Sequence, residues 1–327
     1  MEIGKVPNSI LEKIILNKLS KQRSEVLLSP GIGEDCAAVD FGEYACVLSC
    51  DPITGTAMKI GRLAEHISCN DIASCGVEPI GLLVTIMCPP GTSEQELETI
   101  MDQLTHTASE IHVDILGGHT EITAAVNRFI ITCTAVGRCL KEKLIATSGA
   151  HDGDDLVLTK HAGLEGASIL AHEKEEELTG ALGMEAVNEA KAFMKNLSVV
   201  KDGLEAARFG VHAMHDVTEG GVLGAVWEIC EASGKGASVL AGNIPVAFAT
   251  ERICEYYNIN PYKLMSSGCM LISADDGDGL VKHLQKQGIA AAVIGKLDDT
   301  GEKVMISGRG RELITAPEAD ELFKILR

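Results

Sequence analysis

The sequence predicts two α+β domains rather than one long parallel sheet, and three observations carry that reading. A chain of 327 residues, at roughly 150 residues per domain, suits about two cores. Strand-like apolar runs alternate with helical patterns in both halves, too irregularly for a single doubly wound sheet. A small, polar, turn-rich segment, Thr147–Asp155 (TSGAHDGDD), separates the halves and sets the expected domains at 1–148 and 149–327.

Residues 8–19 read as an amphipathic helix, with Leu11, Ile14, Ile15 and Leu19 on one face and Asn8 or Ser9 as cap. Tyr44–Cys50 is apolar and strand-like and ends at Asp51-Pro52. A helix is expected from Gly61 to about Cys75, stopped by Gly76 with Pro79 beyond it. Ile80–Cys88 has the length of a buried strand. Ser93 and Glu96 form a capping-box pattern, ahead of Leu97, Ile100, Met101, Leu104, Ala108 and Ile111 at helical spacing. Val113–Leu116 and Arg128–Val136 are the next strands. Beyond the boundary come strand Leu156–Thr159, helices to about Phe209, strand Val211–Met214 and helix Gly221–Ser233. Strands at Ser238–Leu240, Met270–Ser273, Ala291–Ile294 and Val304–Ile306 follow. There is no low-complexity tract and no short-period repeat.

Charge narrows the function classes. Lys plus Arg number 28 against 47 Asp plus Glu, a formal charge of −19, which repels phosphate backbones and disfavours nucleic acid as a partner. A nucleotide arriving with its magnesium escapes that objection. No apolar run reaches the 18 or so residues of a membrane helix, and the N-terminal residues carry no secretory pattern. The cysteines are eleven, an odd number, and many sit inside apolar runs, so reduced buried thiols in a cytoplasmic protein are expected.

Carboxylates recur beside glycines or at expected element ends: Asp35 after Gly31-Ile-Gly33, Asp51 after Ser49-Cys50, Asp71 after Asn70, Glu121 after Gly117-Gly118, and Asp216 ahead of Gly220-Gly221. Hard cations such as Mg²⁺ take oxygen ligands, usually one or two carboxylates plus substrate phosphates. Each carboxylate taken alone reads first as a solvated turn or cap residue; five such clusters, each read as a sharp turn after an apolar segment, shift the balance toward a metal–phosphate site. There is no GxxxxGK[ST] cradle, which excludes the P-loop, no complete GxGxxG, which disfavours a dinucleotide site, and no Cys-x-x-Cys or His-Glu-x-x-His, which leaves a structural zinc or a metalloprotease with little support. His119 and His215, near glycines, and Cys50 and Cys69, beside the carboxylates, are read as structural.

The ordered set GIGEDCA (31–37), SCDPIT (49–54), HISCNDIASCGVEP (66–79), LGGHTE (116–121), HDVTEGGVLGAVWEI (215–229) and SSGCML (266–271) resembles the PurM-like superfamily. That group includes aminoimidazole ribonucleotide (AIR) synthetase, selenophosphate synthetase, thiamine-monophosphate kinase and the hydrogenase maturation factor HypE, whose branch looks nearest. The resemblance implies an N-terminal ATP-binding domain forming a barrel with its copy in a homodimer, and a C-terminal α+β sandwich over the cleft. It implies ATP and Mg²⁺ as cofactors, with Asp35, Asp51 and Asp71 on the metal. Gly31, Gly33, Asn70, Gly117, Gly118, Glu121 and Asp216 would complete the nucleotide site. The implied chemistry is phosphorylation of an amide or carboxamide oxygen, with a maturation partner protein. A cyclo-ligase, a small-molecule kinase and a non-catalytic nucleotide-binding partner are the alternatives. HypE proteins carry a reactive C-terminal cysteine, whereas residues 270–327 contain none, and Glu219 stands where that branch has Arg. The expected target is therefore a separate molecule, with no thiocyanate formed on this chain.

Overall fold

The computed structural model describes residues 4–53, 59–317 and 319–326. Thr54, which closes the SCDPIT motif, and Arg327 lie outside the described residues. The first half runs α1 (Asn8–Ile14), β1 (Val26–Leu28), β2 (Ala37–Phe41), β3 (Tyr44–Ile53), α2 (Ile60–Ser74), β4 (Pro79–Cys88), α3 (Glu94–Ile111), β5 (Asp114–Ile122) and β6 (Ile130–Leu140). Its sheet has the order β1-β2-β3-β6-β4-β5, antiparallel except for β4–β5. The second half runs β7 (Asp155–Thr159), α4 (Leu164–Glu173), α5 (Glu175–Leu182), α6 (Met184–Ala192), α7 (Val200–Phe209), β8 (Ala213–Val217), α8 (Gly221–Ser233), β9 (Gly236–Leu240), α9 (Phe248–Tyr257), β10 (Cys269–Ala274), α10 (Gly277–Lys286), β11 (Ala291–Asp298), β12 (Lys303–Ser307) and β13 (Gly310–Leu313). Its sheet has the order β13-β12-β9-β11-β7-β10-β8, with β9–β12 the one parallel pair. Two mixed α/β halves, each with its own sheet, match the expected class.

The helix α2 joins the halves. Thirteen of its residues are buried, because β3 and β6 cover one side while α7 and β8 cover the other. Within β3, Ala45, Val47, Ser49 and Ile53 are buried in the alternation of a pleated strand, and Asp51 falls on that same side, toward α2. The capping box at Ser93 and Glu96 forms as expected and starts α3. No described helix is long and apolar enough to cross a membrane.

The first sheet is open within one chain, ending at β1 and β5, and the expected barrel is one shared with a second copy. Several other expectations are corrected. The N-terminal helix stops at Ile14 and continues only as a short 3-10 turn; its cap is Pro7, without a side-chain hydrogen bond. Ile14, Ile15 and Leu19 are exposed instead of forming a packed face. The strand expected at Val113–Leu116 runs on to Ile122, so Gly117, Gly118, His119 and Glu121 lie in β5 and not in a turn. Leu116 bulges out of register, and a Cβ on Gly118 (φ +151°) would stand 1.8 Å from the Val84 carbonyl oxygen. Glycine there lets the two strands pair. His215 and Asp216 also sit inside a strand, β8, rather than at a turn, while Asp71 lies within the helix expected there.

Candidate active site

Four carboxylates come together from four separate elements. Asp35 lies on the loop before β2, Asp51 on β3, Asp71 on α2 and Asp216 on β8. The loop is held on both sides. A Cβ on Gly33 (φ +78°) would stand 2.7 Å from the Glu228 carbonyl oxygen on α8, so only glycine lets the loop lie this close. The next residue, Glu34, accepts the backbone N–H groups of Thr147 (3.2 Å) and Ser148 (3.0 Å). Asp35 is thereby aimed at β8, where its Oδ2 meets His215 Nδ1 at 2.7 Å. The other ring nitrogen of His215, Nε2, meets Glu228 Oε2 at 2.9 Å. Across the cluster the Ser49 hydroxyl donates to Asp71 Oδ2.

The electrostatics follow from this crowding. Burial, reinforced by the negative charges of Asp216, Asp51 and Asp35, holds Asp71 well above the usual carboxylate range. Burial and Asp35 push Asp216 up to about 8, with His215 and Lys5 pulling the other way. Burial alone would strip the proton from His215, but Asp35 and Glu228 outweigh it and keep the ring an imidazolium. Glu228 in turn stays below its ordinary value despite burial, because His215 and Lys5 favour its charge. Lys5 is held protonated by Glu228, Asp35, Glu219 and Asp216 against desolvation. Its backbone N–H donates to Glu219 Oε2 at 3.0 Å, so the glutamate at that position anchors the N-terminal residues.

Whether a divalent cation fits is decided by oxygen donors. Asp35, His215 and Asp216 present ligand atoms within 4.8 Å of one another. His215 has both nitrogens committed to carboxylates, which makes it a counter-ion rather than a ligand. Asp216 Oδ2 is buried and has no hydrogen-bond partner among the described residues. An acceptor left unpaired at 1% exposure, beside two or three more carboxylates, is what a hard cation satisfies. The residues fit magnesium.

The other expected residues divide. Asn70 is fully buried, and its carboxamide bridges to the second half, donating to the Leu197 carbonyl (2.9 Å) and accepting from Val199 N–H (2.8 Å). Gly31 and Gly33 flank the Asp35 loop. Gly117, Gly118 and Glu121 lie elsewhere: Asp51, Cys133, Val84 and Gly118 form one row across the sheet, so Gly118 stands three strand spacings, roughly 14 Å, from Asp51. Glu121 is exposed there beside His119 (3.5 Å). Sequence reasoning missed Glu228 and Lys5. The glutamate was legible in principle at the end of the HDVTEGGVLGAVWEI motif; the lysine, 214 residues from Glu219, carried no local signal. Cys69 is buried as expected, whereas Cys50 is exposed.

Residues 33–139 match the AIR synthase related protein N-terminal domain, and residues 151–308 match its C-terminal domain. The chain belongs to this PurM-like family. Among its relatives, a Methanocaldococcus jannaschii protein named for hydrogenase expression and formation is 25% identical over 98% of this chain and 97% of its own length. The carbamoyl dehydratase HypE of Cupriavidus necator is 27% identical over 74% of this chain and 68% of its own. Family members of known structure share the fold. A chain of a HypE–HypF complex superposes with a TM-score of 0.77 at 19% identity, covering 94% of this chain and all of that one. HypE in complex with ATP gives 0.71 at 20% identity, covering 96% and 95%.

Proposed function

We propose that this protein is a magnesium-dependent, ATP-using enzyme related to HypE, transferring a phosphoryl group to an amide or carboxamide oxygen and so making that oxygen a leaving group. The observation that carries the reading is the meeting of Asp35, Asp51, Asp71 and Asp216, with Asp216 Oδ2 buried and unpartnered among the described residues. Asp35, Asp51 and Asp71 would hold the cation, with Asp216 Oδ2 as a further acceptor, and it would neutralise the phosphate charge during transfer. His215 fixes the orientation of Asp35 through its imidazolium, and Glu228 fixes His215 in turn. The Gly31–Gly33 loop brings backbone close to the phosphates, pinned by Glu34. The ATP complex and the HypE–HypF complex of the relatives support nucleotide binding and a maturation partner for this chain as well. The free state of all eleven cysteines supports a reducing, cytoplasmic setting.

A homodimer belongs to the same proposal. Gly117, Gly118 and Glu121 stand too far from Asp51 to serve the same site within one chain, and a second copy can supply them. Ile80, Leu83, Leu116 and Ile122 on β4 and β5 are exposed apolar residues at an open sheet edge, which supports a covering partner. Calorimetric titration with ATP tests the site. Binding should need Mg²⁺, and Asp71→Asn should weaken it by about 1–3 kcal/mol, the worth of a charged ligand group. Equal affinity in the presence of a chelator, or in the variant, would refute the assignment.

A further inference from the structure

A second cluster lies outside the carboxylate site, where the segment joining the halves meets the approach to β8. His151, Asp154 and His212 each offer one ligand atom, and these atoms lie within 4.8 Å of one another. Asp154 is buried, and both of its oxygens lie 2.9 Å from His212 Nδ1. Its Oδ2 also accepts from the His151 backbone N–H at 2.9 Å and from the Ser273 hydroxyl at 2.5 Å. These bonds fix a tight turn and aim both imidazoles the same way, so the rings lie 4.1 Å apart, tilted by 48°.

An architectural role for this cluster uses Asp154 and His212 alone. It leaves the His151 ring, exposed and with no hydrogen bond among the described residues, without a task. Two neutral imidazoles and one carboxylate form a donor set that suits a borderline divalent transition metal and not magnesium, and three protein ligands with an open side are the pattern of an accessible zinc site. The carboxylate oxygen and His212 nitrogen, 2.9 Å apart, are already near the separation of two ligands on one ion at about 2.0–2.2 Å. A rotation of the exposed His151 side chain brings in the third.

We propose that His151, Asp154 and His212 form a zinc-type metal site that clips the segment joining the two halves to the start of β8. The ion would sit three residues upstream of His215, roughly 10 Å along the strand direction from the carboxylate site, and separate from it. As the ion enters, it would take the place of the hydrogen between His212 Nδ1 and Asp154, with the ring's N–H carried on Nε2.

The test uses the full chain, reduced and stripped with a chelator, titrated with Zn²⁺ by calorimetry and with Co²⁺ by visible absorption. One Zn²⁺ per chain is expected, with Co²⁺ bands of low coordination number and no thiolate charge-transfer band. His151→Ala removes only an exposed ring and keeps the Asp154 bonds. It should weaken Zn²⁺ at least about 100-fold, since even outer-shell changes cost roughly 10- to 100-fold. His212→Gln, which can still donate to Asp154, should do the same. Mg²⁺-ATP binding should be unchanged in His151→Ala, which separates failure here from failure of the ATP reading. Absence of stoichiometric Zn²⁺, a thiolate band, or unchanged affinity in His151→Ala would each overturn the site.

Discussion

Glu65 and His66 stand next to each other on α2, both buried, and no side-chain nitrogen or oxygen of either has a hydrogen-bond partner among the described residues. Burial pushes Glu65 up to about 8 and His66 down to about 3, so both are neutral at pH 7. The signs follow from linkage. For Glu65 the native state holds its proton more tightly than the unfolded chain, so its contribution to stability fades as pH rises from about 4.5 through 8. For His66 the contribution is present above about 6.5 and fades as pH falls toward 3. Glu65→Gln keeps the shape and cannot ionise. Thermal denaturation should therefore find variant and parent most alike near pH 4.5 and the variant increasingly more stable up to pH 9; an unchanged difference between the two pH values would refute this. Thiols differ in the same local way. A hydrogen bond with Cys75, followed by burial, raises Cys36, and burial raises Cys69 and Cys133, while Cys50 is the exposed cysteine. Iodoacetamide followed by peptide mass mapping should label Cys50 first and leave the buried three unmodified in the native protein. The apolar run around Cys50 hid that exposure, because alternate strand residues face opposite sides of the sheet.

The elements α2 and α8 were legible because each has a clean stop: Gly76 after α2, and Gly234, in the left-handed region at φ +69°, after α8. The strand β5 was legible only as far as Leu116. Two glycines normally read as a turn, and here they serve a bulge whose need comes from Val84 on a neighbouring strand, which local pattern cannot report. Gly118→Ala is thus expected to cost roughly 2 kcal/mol or more, through the clash and the backbone strain. Gly117→Ala should cost less, since its Cβ would meet only Leu83, at 3.8 Å. Differential scanning calorimetry of the two variants checks the order, and a larger loss at Gly117 would contradict the packing described. The helices α9 and α10 were missed among the mixed patterns of the second half. At the site, Asp35, Asp51, Asp71 and Asp216 could be picked out by motif order. What ties Asp35 to Glu228 through His215 could not be read, since it spans a loop, a strand and a helix.

For the molecule as a whole, the open sheet edge predicts a dimer of twice the 34.6 kDa chain mass in light scattering at micromolar concentration. A monomer that still binds Mg²⁺-ATP would refute it. Salt should weaken this dimer little if the exposed aliphatic residues of β4 and β5 form the contact, because apolar burial is not screened. The anchoring of Lys5 has a consequence in time. A ribosome makes Lys5 first and Glu219 214 residues later, which at about 5–20 residues per second is a wait of roughly ten to forty seconds. During that wait the first half can pack α2 on its sheet, but the other carboxylates still lack β8 with its Asp216, and Glu228, and Lys5 has no Glu219 to hold it. The segment around Lys5 is consequently among the last to settle, and the pocket cannot reach its final charge balance until β8 and α8 have emerged.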